Sequence, residues 1–484
     1  MKSNIRKSFG FSCDRSVPRT EVRGLSDTST SDNLKSNADY FSMMKKIADI
    51  MELNPSKEEI DFLKDIVKRV TKTLKREIDA RKINAGVFVG GSFARETLVK
   101  DKTYDIDIFI RCKGEVDKIY SKLEPAIRKI SEGIGEMEII HGSRDYFRIT
   151  VNSDNCAILR QNSLDGKLNS NIVLEVIPVK HVNSPYEINN VTDMSYSHVY
   201  YIKKKIKKNP KIRNEIIFAK AFCKAQGVYG AESYVRGFSG YAIECLIINY
   251  GSFLKMAREI ANSREKIILD PEKKYKNKDE IAVSMNESKL KSPIVLVDPT
   301  WKERNVLAAL SDETFIKFQS ALKRFLKKPN ESFFRYEEIS EKKIKLEAEK
   351  KNAVLFHLKI LTRGQHGDIA GTKLKKVHSF LLSRIRERFE VINHVFIYKG
   401  SDYADTYYAV KQFEKSIKRG PPISMKENVS AFKKEHRKTF VKNGVIYAIE
   451  KPMKADRKIL EDIINKYKRN IIEIGAESVE LLIL

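Results

Sequence analysis

The chain has 484 residues, with 91 Lys or Arg against 64 Asp or Glu, a net charge of +27 and 42% hydrophobic residues. That apolar share is ample for ordinary cores and excludes wholesale disorder, and at about 150 residues per domain the length predicts three or so domains. No run approaches the ~18 consecutive apolar residues of a membrane-spanning helix. The positive charge points to a polyanionic partner, nucleic acid first; the plainer alternative is a Lys-rich surface, because 32% of residues are charged and both signs abound.

Cys13, Cys112, Cys156, Cys223 and Cys245 are odd in number and widely spaced, with no CxxC. The eight histidines show no HExxH or HxxxH pairing. A disulfide framework or thiolate zinc site does not fit, and a reducing, cytoplasmic compartment does.

In chain order, residues 1–38 are rich in Ser, Arg, Asp and Thr and read as a disordered polar extension. A short helix is expected near Tyr40–Met51. A longer one follows Pro55, opened by Ser56 and Glu59 at capping-box spacing and carrying Ile60, Leu63, Val67, Val70, Leu74 and Ile78 on one face. Ala85–Val89 reads as a buried strand ending in Gly90-Gly91-Ser92, and Asp105–Ile110 as the next. A helix over about Glu115–Glu132 precedes strands at Met137–Ile140, Phe147–Val151 and Ile172–Val179, with a polar loop at Asn162–Ser170. From Tyr186 to Phe334 the pattern is mostly helical, carried by Asn214–Ala225, Gly240–Tyr250 and Thr314–Leu326. Beyond it lie a strand at Val354–Ile360, a helix at Gly371–Phe389 and a strand at Glu390–Tyr398. Asn443-Gly444 predicts a hairpin between Thr439–Val441 and Val445–Ala448. Ile459, Leu460, Ile463, Ile464 and Tyr467 mark a last helical face. No internal repeat is present. These units divide the chain into 1–38, 39–185, 186–335 and 336–484.

The chemistry concentrates in Gly90-Gly91-Ser92-Phe93-Ala94-Arg95-Glu96-Thr97 followed by Asp105-Ile106-Asp107. Alternation along a strand points Asp105 and Asp107 the same way and Ile106, Ile108 and Ile110 into the core. Two carboxylates so close repel unless a cation lies between them, and hard oxygens suit Mg²⁺. Gly90, Gly91 and Ser92 let backbone amides approach a phosphate, with Ser92 and Arg95 as added donors. Glu175, the lone acid in Val173-Leu174-Glu175-Val176-Ile177, offers the third carboxylate a two-metal site uses; a solvent-facing edge position is its bland alternative.

This head module resembles the catalytic domain of the DNA polymerase β nucleotidyltransferase superfamily. The middle of the chain is similar to class I, archaeal-type CCA-adding enzymes. The motifs that carry the likeness are Lys220-Ala221-Phe222-Cys223-Lys224-Ala225-Gln226-Gly227-Val228-Tyr229-Gly230-Ala231-Glu232, then Arg236-Gly237-Phe238-Ser239-Gly240-Tyr241 and Tyr250-Gly251-Ser252-Phe253. Asp298-Pro299, Arg304-Asn305-Val306 and Gly420-Pro421-Pro422 follow in the same order. The resemblance covers about residue 40 to the C-terminus.

It implies an α/β plus α+β architecture: a nucleotidyltransferase head on a mixed sheet, a helical neck, and a C-terminal α+β body with a tail. It implies addition of C, C and A to the 3′ end of tRNA from CTP and ATP, with two Mg²⁺ at Asp105, Asp107 and Glu175. Gly91, Ser92, Arg95, Ser195, His198, Lys220 and Tyr229 would contact the nucleotide, and Arg304 would help read its base. The body would hold the tRNA acceptor arm, with no membrane involved; family members are commonly dimers, so a homodimer is the implied assembly. Each role has a bland counterpart: a core or capping histidine for His198, turn packing for Tyr229, a solvated face for Lys220, an ion pair with Asp298 for Arg304. Several positions depart from the family pattern. Glu96 stands where Gly is usual and would repel a triphosphate unless it points away. Met194 and Tyr196 replace Arg and Pro, Trp301 replaces an Asp, and Glu175 is longer than the usual Asp. A poly(A)-adding polymerase and a catalytically degenerate tRNA-binding protein are the rival readings.

Overall fold

The computed structural model describes residues 37–482 except 142–143, 153–169, 189, 337–338, 414–415 and 451–453. The polar extension, up to residue 36, and nearly all of the loop expected at 162–170 lie outside these residues.

Ser56 opens the long helix as its sequence requires: its hydroxyl accepts from the amide of Glu59, whose carboxylate accepts from the amide of Ser56. The first lobe then follows the order α1 (Asn37–Met51), α2 (Lys57–Ala80), β1 (Ala85–Val89), α3 (Gly91–Ala94), β2 (Thr103–Cys112), α4 (Val116–Ser131), β3 (Gly135–Ile140), β4 (Tyr146–Val151) and β5 (Asn171–Lys180). Its five strands are ordered β1-β2-β5-β4-β3. Only β2 and β5 run parallel; the other neighbours are antiparallel, so the sheet is mixed as expected. One face is sealed by α2 and α4, whose Leu63, Val67, Val70, Leu74, Leu123 and Ile127 pack with Ile106, Ile108 and Ile110. Burying each such side chain contributes about 1.5–3 kcal/mol. The other face carries the acids.

The helical region comprises α5 (Ser195–Lys208), α6 (Lys211–Ala225), α7 (Gly240–Tyr250), α8 (Phe253–Asn262), β6 (Ile267–Leu269), α9 (Lys278–Ser284), α10 (Glu287–Leu290), β7 (Ile294–Leu296) and α11 (Asp312–Lys327). Its core is rich in aromatics, with Phe218, Phe222, Phe253, Phe318, Phe325 and Phe334 in mutual contact. Tyr40, Met44 and Ile47 of α1 and the following Leu53 join this core, not that of the five-stranded sheet. A polar anchor accompanies them: the Tyr40 hydroxyl donates to Glu215, which also accepts from the Phe253 amide. The parallel pair β6–β7 was not anticipated, each strand being three residues long.

The last part begins with α12 (Glu341–Lys350), β8 (Val354–Leu361), α13 (Gly367–Arg386), β9 (Glu390–Tyr398) and β10 (Tyr403–Lys411). It continues with β11 (Ser416–Pro422), α14 (Lys426–Glu435), β12 (Thr439–Lys442) and β13 (Val445–Glu450), and closes with α15 (Arg457–Lys466), α16 (Lys468–Ile474) and β14 (Ser478–Leu482). It holds two sheets, ordered β14-β8-β10-β9 and β11-β13-β12. The hairpin turns at Asn443 (φ 50°) and Gly444 (φ 72°), the two positive angles of a type I′ turn. The central strand β10 and the edge strand β14 were missed by the sequence reading.

Beneath β10 and α13 a polar chain is buried. The Tyr408 hydroxyl lies 2.9 Å from His378 Nδ1, and His378 Nε2 lies 3.3 Å from His394 Nδ1. Burial, reinforced by Lys375 and by the facing histidine, pulls His378 well below the usual imidazole range. Burial also pulls His394 down, with Arg386 and Lys375 adding to it and Glu313 opposing. Both rings therefore fold neutral, and the unfolded chain takes up their protons first. The linked stability is present above the unfolded value of about 6.5 and is lost as pH falls below it. Denaturant titrations at pH 7 and pH 5 should show lower stability at pH 5, and His378→Gln should flatten that dependence.

Candidate active site

The site is built on the parallel pairing of β2 and β5. Register sets Glu175 opposite Asp107, and β4 sets Arg148 opposite Glu175 on its other side. Asp105 and Asp107 share a face while Ile106, Ile108 and Ile110 are fully buried on the other. Arg148 Nη2 donates to Glu175 Oε1 at 3.0 Å. Burial, then the charge of Glu175, pushes the Asp107 carboxyl up to about 7 despite Arg95, and the same two causes raise Asp105. These acids therefore lack adequate counter-charge from the protein.

The turn before α3 lies directly against them. Gly91 has φ +62°, and a Cβ there would stand 1.7 Å from Asp107 Oδ2. A Cβ at Gly90 would stand 2.2 Å from the Phe109 ring. Only glycine lets the chain approach the carboxylate so closely. The turn leads through Ser92 to Arg95, beyond which Glu96 has φ +61°. The Glu96 side chain is 63% exposed, with Lys203 of α5 at 4.0 Å, and is absent from the cleft wall. Its carboxylate is thus directed away from the cleft.

Facing the acids is a buried polar network. Glu244 of α7 is fully buried and accepts from Arg95 Nε at 3.0 Å, Thr97 Oγ1 at 2.6 Å and Lys220 Nζ at 2.7 Å. Lys220 also donates to the Thr97 carbonyl (3.2 Å) and hydroxyl (2.9 Å), so its three donors are all engaged. Burial lowers Lys220 to about 8 against the pull of Glu244. Burial raises Glu244, but Arg95 and Lys220 outweigh it and hold the carboxyl below its usual range. Lys220 is thus no member of a solvated lysine face. Gly240 makes room here: a Cβ would lie 2.8 Å from the Tyr229 hydroxyl and 3.6 Å from Lys220 Cε. Lys224 lies 5.3 Å from the Tyr229 ring centroid, in cation–π range.

A third group surrounds Asp298, which is fully buried. Its Oδ1 accepts from the Tyr241 hydroxyl at 3.1 Å and from Thr300, and its Oδ2 from Arg304 Nη1 at 2.5 Å. His198 stacks on Tyr241 with ring centroids 3.9 Å apart. His198 Nε2 lies 3.4 Å from Asp298 Oδ2 but outside hydrogen-bond geometry. Burial pulls His198 below the imidazole range, so it is neutral at pH 7. The Ser195 hydroxyl donates to the Thr192 carbonyl at 2.7 Å. Asp193 pairs with Arg144 at 2.5 Å.

One cleft of about 1180 Å³ joins most of these residues. Gly91, Ser92, Arg95, Asp105, Asp107, Glu175, Ser195, His198, Lys220 and Tyr229 all line it; Arg304 does not. Sequence reasoning missed Glu244, Arg148 and Lys224, and the wall that Gly364–Ile369 and Lys399-Gly400 bring from the last part of the chain. A lone carboxylate in the apolar run Gly240–Tyr250 was the available sign for Glu244. Among the described residues no three His, Cys, Asp or Glu form a preformed metal cage. The donor set nevertheless fits a hard divalent cation, which commonly takes one or two carboxylates and completes its shell with phosphate and water.

Two family profiles match the chain: one described as a nucleotidyltransferase domain over residues 67–153, the other as the second domain of tRNA nucleotidyltransferase over 214–335. The chain is 36% identical over 237 residues to a CCA-adding enzyme of Nanoarchaeum equitans, spanning 47% of this chain and about half (52%) of that one. It is 27% identical over 439 residues to the CCA-adding enzyme of Methanocaldococcus jannaschii, covering 87% and 90%. For the enzyme of Methanococcus maripaludis the values are 26% over 456 residues, 90% and 95%. Among solved structures, an RNA terminal U-transferase aligns with a TM-score of 0.45 at 13% identity, covering 62% of this chain and 99% of that one.

The outward course of Glu96 has a measurable consequence. A non-glycine residue at positive φ costs on the order of 1 kcal/mol, and a surface pair such as Glu96–Lys203 offsets little of it. Glu96→Gly should raise stability by about 0.5–1 kcal/mol in denaturant titrations and leave the KM for nucleotide unchanged. A KM altered beyond about twofold would place the carboxylate at the bound phosphates after all.

Proposed function

We propose that the chain is a CCA-adding enzyme, like the relatives it matches, and adds C, C and A in turn to the 3′ end of tRNA from CTP and ATP, without a nucleic-acid template. The observation that carries this reading is the trio Asp105, Asp107 and Glu175, held side by side by strand register against a glycine turn and facing Arg95 across one cleft. We place the reaction in the cytoplasm and take a homodimer as its assembly.

In each cycle the tRNA 3′-hydroxyl oxygen attacks the α-phosphorus, the bond to the β-phosphate breaks, and pyrophosphate leaves. The hydroxyl proton passes toward Glu175, the carboxylate nearest Asp107 in register. Asp105, Asp107 and Glu175 would hold two Mg²⁺, which when bound neutralise charge on the attacking and leaving oxygens. Ser92 and Arg95 orient the triphosphate from the turn, and Gly91 lets it approach. Ser195, His198 and Tyr229 line the nucleotide's side of the cleft, and a neutral His198 offers both a donor and an acceptor. Most of the rate gain in such transfers comes from positioning and charge stabilisation. The acceptor arm would be held by its phosphates and A-form shape against the last part of the chain.

Incubating the protein with tRNA lacking CCA, Mg²⁺ and labelled CTP or ATP tests the reading. Growth by three nucleotides, stopped by a chelator, is expected; a long A tail would indicate a polymerase, and no growth a non-catalytic binder. Asp107→Ala should lose addition by several orders of magnitude yet keep its melting temperature, because the side chain does not face the core.

Although Arg304 does not line the cleft, we propose that it bears on base selection through Asp298, which pairs with its guanidinium and lies 3.4 Å from the cleft-lining His198. Arg304→Lys retains the charge but not the planar fork of donors. Discrimination against UTP and GTP should fall roughly tenfold to a hundredfold, with tRNA binding unchanged. Unaltered selectivity with a lowered melting temperature would leave Arg304 only its ion pair.

A further inference from the structure

Resting on the nucleotide-transfer reading, we propose that Glu244 is a positioning residue for the triphosphate: from α7 it fixes Arg95 of the turn and Lys220 of α6 so that the Arg95 guanidinium faces the cleft.

The bonds themselves divide the labour. Lys220 spends its three donors on Thr97 and Glu244, so it has none left for a phosphate in this arrangement. Arg95 commits only Nε to Glu244; its Nη atoms make no hydrogen bond to a described residue, and the side chain lines the cleft. A guanidinium held through Nε presents the two Nη groups as a fork, the geometry that phosphate oxygens accept in pairs. Lys220 is then a strut. It bonds the Thr97 carbonyl and hydroxyl, fixing the chain two residues beyond Arg95, and the Thr97 hydroxyl donates its own hydrogen bond to Glu244.

A carboxylate in the middle of an apolar helix is costly unless it is paired. Glu244 meets that condition with two cations and a hydroxyl, and all of these partners line the cleft. The network also crosses a boundary. Arg95 and Thr97 belong to the five-stranded lobe, whereas Lys220 and Glu244 belong to the helical region. The grip on the nucleotide therefore depends on how these two parts sit together, through one buried side chain.

Calorimetric binding of CTP and ATP to the full chain tests this, alongside steady-state kinetics. In Glu244→Gln both dissociation constants should rise together by at least about tenfold, as for loss of a charged hydrogen bond. KM for nucleotide should rise more than kcat falls, and tRNA affinity should stay within about twofold. In an Arg95→Ala background the same substitution should add less than about twofold, because the group it positions is gone. Should Glu244→Gln fail to fold with Lys220 left buried and unpaired, Glu244→Gln with Lys220→Met removes both charges and should show the same loss of nucleotide affinity. Wild-type nucleotide affinity in a folded variant, or an undiminished effect without Arg95, overturns the proposal. A wild-type chain that binds neither nucleotide overturns the underlying functional reading instead.

Discussion

Carboxylates forced together by strand register are the constraint around which the cleft is arranged. Asp105 and Asp107 cannot swing apart, because Ile106, Ile108 and Ile110 are locked into the core on the opposite face of β2. Glu175 cannot retreat either, because β5 pairs with β2 residue for residue. At about 4 Å, like charges repel by roughly 4 kcal/mol at an effective dielectric constant of 20. The rise of Asp107 to about 7 expresses that repulsion together with its burial. Arg148 relieves Glu175 and Arg95 partly relieves Asp107, and the remainder leaves the acids short of positive charge.

The chain as a whole is strongly basic, yet three acids cluster on one wall of its cleft. The two facts act at different ranges. A net charge of +27 attracts a polyanion over distances comparable with the screening length of about 8–10 Å. Local acids would repel a bare phosphate and admit one only with its cation. Lys203, Lys204, Lys207 and Lys208 on α5 are exposed and add to that long-range field, whereas Lys220 is buried and its charge is met by Glu244. Position, not residue type, separates them.

How far the sequence alone could be read follows the same division between local and tertiary information. Elements with strong periodicity or explicit punctuation were found, including α2 with its capping box, β1 and β2 around the glycine turn, and the Asn443-Gly444 hairpin. β10 was missed because Tyr-Ala-Asp-Thr-Tyr-Tyr shows no apolar run; its Thr406 is buried against the Leu358 carbonyl, and Asp405 is matched by His357. β6 and β7 are too short to show a period, and α1 reads as part of the first lobe until its packing is known. The paired acids could be placed on one face from alternation alone. Lys220 could not be assigned to a buried strut, since only tertiary contact brings Thr97 and Glu244 to it.

The positions where the chain departs from the pattern of the CCA-adding enzymes it resembles show how a site tolerates change. The guanidinium absent at Met194 has a counterpart in Arg144, which reaches Asp193 from the turn between β3 and β4 and also donates to the Pro178 carbonyl. The acid absent at Trp301 is covered by Asp298, already bonded to Arg304, while Trp301 itself lies 5.7 Å from Lys289 in cation–π range. Tyr196 fills its place by packing edge-on against Phe88 under the Arg111 guanidinium, 4.3 Å away. Glu96 escapes into solvent, and Glu175, one methylene longer than Asp, is held by Arg148. In each case the altered side chain lies outside the bonds that join Glu244, Arg95 and Lys220 and outside the β2 pair of aspartates. What the fold holds fixed is the pairing of those two groups across the cleft; what surrounds them can be exchanged so long as charge and volume are met from a neighbouring element.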